Sequence, residues 1–140
     1  MMRGISRTIV SIGAAAAIVV ATATTAGAAA DTPDNEWVYG GWWASVMWND
    51  YENRDHGNDL DNVWIEDEWG DGYSAKLYVY RNGKLVDTAH AYNGDEASAN
   101  DLGNVPNGGE VYWKSCLWNN GKPVLNDHGR PECRSGSFYE

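Results

Sequence analysis

The chain has 140 residues, and its 20 Asp and Glu outnumber its 10 Lys and Arg, for a formal net charge of −10. A surface of that sign repels nucleic acid and anionic lipid, so neither is expected as a partner. The 8 Trp, 8 Tyr and 16 Gly argue against disorder and for short strands joined by tight turns, with flat rings supplying much of the buried area.

Residues 1–30 read as a secretory signal peptide: Arg3 and Arg7, an apolar run over 9–20, and small residues ending Ala28-Ala29-Ala30. The apolar run is about a dozen residues, short of the roughly 20 that a spanning helix needs, so no membrane span is expected. Cleavage after Ala30 would leave 110 residues, one domain of ordinary size, with a formal charge of −12 because Arg3 and Arg7 are removed. Residues 31–36 are polar and contain Pro33, the pattern of a flexible N-terminal arm that is ordered only if something holds it. The domain proper is expected over 37–140.

Over 42–48, alternation places Trp42, Ala44, Val46 and Trp48 on one side of a strand and Trp43, Ser45 and Met47 on the other. Residues 51–61 are polar and aperiodic and read as an exposed loop, followed by a short strand over 62–65 and an acidic, glycine-punctuated turn over 66–72. The clearest element is a hairpin over 73–92 around Asn82-Gly83, the pair that a type I′ turn prefers. A regular two-residue loop would set Val79 opposite Val86, Leu77 opposite Thr88 and Ala75 opposite His90, which puts His90 on the inner face. The other face would present Ser74, Lys76, Tyr78, Tyr80, Leu85 and Asp87, as a solvent-facing or partner-facing surface does. Residues 95–109 read as a loop with one helical turn at 96–99. Residues 110–118 alternate as a strand, Asn120-Gly121 marks another hairpin, and 135–139 can form a last strand.

Cys116 and Cys133 are the only cysteines, and in an oxidising compartment such a pair is most simply a disulfide. Short strands at close spacing with turn signals between them predict an all-β fold, a small antiparallel β-sandwich or partly open barrel with one disulfide.

Six rings fall within fifteen residues: Trp37, Tyr39, Trp42, Trp43, Trp48 and Tyr51. They fill the core, or some of them form a surface that holds a sugar or anchors a partner protein. Asn53, Asp55, Asp59 and Asp61, with Glu66 beyond, offer the oxygen ligands that calcium favours. Gly57 occupies a ligand position and Leu60 stands where the turn glycine belongs, so the default reading is a solvated acidic loop and no metal or cofactor is expected. His56 and His128 sit in matching Asp-His-Gly triplets, which are also ordinary turns. There is no Gly-x-Ser-x-Gly elbow, and a glycosidase acid pair cannot be chosen among twenty carboxylates.

The run Asp71-Gly72-Tyr73-Ser74-Ala75 leading into a strand, the Asn-Gly hairpin and the C-terminal cysteine pair resemble small secreted β-rich actinobacterial proteins of unassigned activity, over about 63–133. What the resemblance implies is a secreted β-sandwich. In size, and in having an N-terminal arm before a β domain, the chain is also similar to adaptor subunits of secreted actinobacterial toxin particles. That likeness implies docking through the arm and the tryptophan cluster.

The expectation is therefore a secreted, non-catalytic interaction protein, monomeric when free. It would bind another extracellular protein or a cell-wall glycan through Trp37, Tyr39, Trp42, Trp43, Trp48 and Tyr51. The alternative is a small secreted hydrolase or hydrolase inhibitor, for which His56, His128 and loop carboxylates would have to converge in one cleft.

Overall fold

The computed structural model of the protein describes residues 32–33, 35–53 and 58–140, with the side chains of 51–53 and 58–60 excepted. Among the described residues there is no helix, and so none long and apolar enough to cross a membrane. Among the described residues, nine strands form two antiparallel sheets. The first comprises β1 (Trp37–Tyr39), β2 (Ala44–Asn53), β3 (Asn58–Asp67) and β6 (Glu96–Ala99), in the order β1-β2-β3-β6. In the second, β5 (Lys84–Tyr92), β4 (Ser74–Arg81) and β7 (Glu110–Asn119) run side by side, and β8 (Lys122–Pro123) and β9 (Cys133–Tyr139) share the far flank of β7. The sandwich and its disulfide are as the sequence leads one to expect: Cys116 and Cys133 are directly opposed on β7 and β9 and are bonded.

The two sheets meet over an apolar core of Val46, Trp48, Val63 and Ile65 from one side and Leu77, Val79, Val111, Trp113, Leu117 and Phe138 from the other. Aromatic rings bridge the layers, with Phe138 6.0 Å from Trp48 and 5.9 Å from Trp113, centroid to centroid. Gly136 makes room for this: a Cβ there would stand 2.7 Å from the Trp113 ring.

Several local expectations are corrected. Trp42 and Trp43 belong to the turn before β2, not to the strand, and Gly41 at φ +128° lets the chain reverse so that Trp43 is buried and Trp42 is exposed. The polar stretch read as a loop over 51–61 extends β2 and β3, which pair as far as Asn53 opposite Asn58. Its tip, with Asp55 and His56, lies outside the described residues. Residues 96–99 are strand, paired to β3, where a helical turn was expected.

The Asn82-Gly83 hairpin forms, both residues having positive φ. Its register shifts between Val79 and Tyr80, however, because Val86 is bulged out. The shift brings Ala89 and Ala91 opposite Leu77 and Ala75, into the core, and sends Thr88, His90 and Tyr92 to the outer face. The small apolar residues alternate with bulky polar ones over 88–92, and a one-residue bulge places the alternation correctly with respect to the core. Asp87 leaves the face assigned to it and accepts the backbone N–H groups of Asn100 and Asp101.

The N-terminal segment is held. Thr32 donates its N–H to the carbonyl of Tyr139 and its hydroxyl accepts the N–H of Tyr139, while the N–H of Asn35 bonds the carbonyl of Trp48.

Candidate functional site

The six rings of the N-terminal segment do not form one surface. Trp43 and Trp48 are 2 % and 1 % exposed and belong to the core, where the Trp43 indole N–H bonds Ser115 Oγ at 3.0 Å. Trp37 is half-buried on β1 opposite Met47, with Tyr39 exposed at the end of the same strand. Trp42 is 51 % exposed and lines an open groove of about 310 Å3 with Leu117, Val124, Leu125, Asn126, Asp127 and Glu132. The backbone of Tyr51 pairs with Leu60; its side chain lies outside the described ones.

Of the acidic and histidine motifs, Asp55 and His56 and the side chains of Asn53 and Asp59 lie outside the described residues. Asp61 is fully buried, not solvated, and its carboxylate accepts the N–H of Val105. Glu66, five residues on, is partly exposed on the opposite face of β3, so these two cannot ligate one ion. The carboxylates that do approach Asp61 are Asp50, its cross-strand partner, and Glu140, all within 4.8 Å of one another. Asp127, His128 and Gly129 form an exposed turn organised by Asn126, whose side chain accepts the N–H groups of His128 and Arg130.

A concentration of rings with polar groups does exist, on the outer face of the β5-β4-β7-β9 sheet. Because neighbouring strands are in register, this face can be read in rows. One row is Leu85, Tyr80, Tyr112 and Ser137; the next is Thr88, Tyr78, Lys114 and Ser135. The third is His90, Lys76 and the Cys116–Cys133 disulfide, and the last is Tyr92, Ser74 and Trp118. Tyr92 is 50 % and Tyr112 40 % exposed, while Lys76, Tyr78, Tyr80, His90, Lys114 and Trp118 are half-buried against one another.

Neighbours fix these side chains. Tyr80 and Tyr112 pack at 5.6 Å between centroids. They line an open hollow of about 310 Å3 with Asn82, Gly83 and Glu110. Glu110 is oriented by the Ser137 hydroxyl, which donates to its Oε1 at 2.5 Å. At the other end, His90 stacks on Tyr92 at 4.0 Å and meets the Trp118 ring edge-on at 5.8 Å. Its Nε2 is 2.9 Å from Ser74 Oγ and its Nδ1 2.6 Å from the Tyr92 hydroxyl, so both ring nitrogens are engaged. Burial, with Lys76 close by, holds the imidazole below its usual pKa. Burial also pushes the Tyr78 phenol up, with Tyr80 adding to the shift.

Part of this face is visible in the sequence, where the alternation over 74–85 sets Ser74, Lys76, Tyr78, Tyr80 and Leu85 on one surface. That alternation gives no sign that β7 lies beside β4, and so Tyr112, Lys114 and Trp118 were missed. The usable signal was the alternation over 110–118, where the even positions carry Tyr112, Lys114, Cys116 and Trp118 and the odd ones the core residues.

Comparison of the chain with protein-family models, with curated proteins and with solved structures finds no match. The chemistry of this face must therefore carry any functional reading.

Proposed function

We propose that the protein is a secreted, non-catalytic binding protein that holds a glycan of the cell wall or its surroundings on the outer face of the β5-β4-β7-β9 sheet. The observation that carries this reading is the hollow lined by Tyr80 and Tyr112 together with Asn82, Gly83 and Glu110. Sugars have apolar C–H faces that rest on aromatic rings and hydroxyls that need donors and acceptors at the edge, and the hollow offers both. The rings are already packed on neighbours, so little side-chain freedom is left to lose on binding. The signal-peptide pattern and the disulfide agree with an extracellular setting.

The test is sedimentation of the protein with insoluble peptidoglycan, chitin and cellulose, beside a Tyr80→Ala/Tyr112→Ala variant whose fold is checked by near-ultraviolet circular dichroism. Retention on at least one glycan that is lost in the folded variant supports the reading. Retention on none of these and on no soluble polysaccharide sinks it.

A second reading rests on the groove at Trp42. Exposed Trp42 and Leu125 flank it, and Trp69, also exposed, donates its indole N–H to the Trp42 carbonyl at 2.7 Å. Such a patch suits an anchor of a partner protein, as an adaptor role would require. Capture of a secreted protein by the normal chain and not by Trp42→Ala would favour it.

A further inference from the structure

The two outer faces of the sandwich carry different charged groups. On β3 and β6, Glu66 stands directly opposite Glu96, and burial together with Glu68 and Glu96 raises the pKa of Glu66. On the other sheet Lys76 and Lys114 lie beside the Tyr78 and Trp118 rings, while Glu110 lines the tyrosine hollow farther along the face. Lys76 Nζ lies 4.4 Å from the Trp118 ring centre and 5.4 Å from that of Tyr78, and Lys114 Nζ lies 5.3 Å from the same Tyr78 ring. Among the described residues, both ammonium groups are positioned by rings and not by a carboxylate. Two cations on one tyrosine repel each other, in a chain whose net charge is −10. An anion drawn to this ring would ease that repulsion and offer the ammonium groups a charge-assisted acceptor.

We infer that Lys76, Tyr78 and Lys114 form an anion-accepting subsite, and that the glycan held on this face is one whose sugar rings bear carboxylates. The inference rests on the glycan-binding reading and adds the ligand's charge to it. Tyr78 is one row from Tyr80 and Tyr112, so a sugar ring stacked in the tyrosine hollow places a neighbouring residue's carboxylate over the lysine pair. One carboxylate per sugar spaces the charges more widely than in a polyphosphate, so the two local cations meet them one or two at a time and the acidic body around them repels the chain less.

Polygalacturonate and its methyl ester share a backbone and differ in charge, which makes them the probes. Affinity electrophoresis should show polygalacturonate bound about tenfold more tightly than the ester at low salt, with the gap closing as salt is added. Lys76→Gln/Lys114→Gln should bring polygalacturonate down to the affinity of the ester. Lys114→Gln alone, which leaves the Lys76 contact with Trp118 in place, should show part of the same loss. Equal binding of the two polymers, or a folded double variant that keeps the preference, would overturn the inference while leaving glycan binding intact. If neither polymer binds while an uncharged glycan does, the inference again fails alone. If no glycan of any kind binds, the functional reading and the inference fail together.

Discussion

Trp43 Nε1 donates a hydrogen bond to Ser115 Oγ at 3.0 Å, joining the turn that opens β2 to the middle of β7 in the opposite sheet. Both residues are buried, so the bond closes the sandwich with a polar contact that water cannot replace. Ser115→Ala leaves the indole N–H without its partner and should cost about 1–3 kcal/mol in urea denaturation. Trp43→Phe/Ser115→Ala should show a coupling term in a double-mutant cycle. Simple additivity of the two single changes would show that the bond contributes nothing.

Trp42, in the turn before β2, and Trp48, on β2, divide surface from core. Trp48→Ala should destabilise by about 3–5 kcal/mol, because the ring is packed between β2 and Phe138. Trp42→Ala, at a half-exposed ring, should cost less than about 1 kcal/mol. Comparable losses in the two variants would contradict the burial described.

Gly136→Ala should destabilise the domain by about 1–3 kcal/mol. The added methyl would stand 2.7 Å from the Trp113 ring, which is hemmed in by Phe138. An unchanged denaturation midpoint would mean that the Trp113 ring can move aside.

Reduction of the Cys116–Cys133 bond should lower the melting temperature by several degrees. The bond spans 17 residues, for which loop closure contributes about 3 kcal/mol. The bonded strands form the flank of the aromatic face, so glycan binding should weaken along with stability. No shift in the melt under full reduction would sink the prediction.

His90 gives a signed pH dependence. Its folded pKa lies below the ordinary value of 6.5, so between the two the unfolded chain binds more protons than the folded one. Its contribution to stability is therefore full above about pH 6.5 and declines as pH falls through the window beneath. Comparing the pH profile of the normal chain with that of His90→Gln isolates this term. If the two profiles run parallel from pH 7 to 5, the imidazole is not perturbed.

What could be read from the sequence was local. Asn82-Gly83 announces its turn, because asparagine and glycine tolerate positive φ where other residues do not. The bulge at Val86 has no such marker. It follows from which residues must reach the core, and a regular two-residue loop consequently misplaced His90 by a whole face. Trp42 and Trp43 were assigned to the wrong sides for a related reason, since a turn had been read as strand. β2 and β3 are polar near their hairpin, and hydrophobic periodicity cannot see a strand whose pairing is made by backbone hydrogen bonds alone. The candidate site was half visible because its β4 residues alternate, and half hidden because strand order is a long-range property.

The placement of Glu66 and Glu96 on one outer face and of Lys76 and Lys114 on the other gives these four groups a charge asymmetry across the domain's thickness. Packed sheets are about 10 Å apart, and the Debye length at physiological ionic strength is about 8 Å. Near a negatively charged matrix, the closer face feels most of the field while the farther one is largely screened. On the glycan reading proposed above, the protein would thus be turned during approach, before any ring touches a sugar, and productive encounters would form a larger share of all collisions than its overall negative charge suggests.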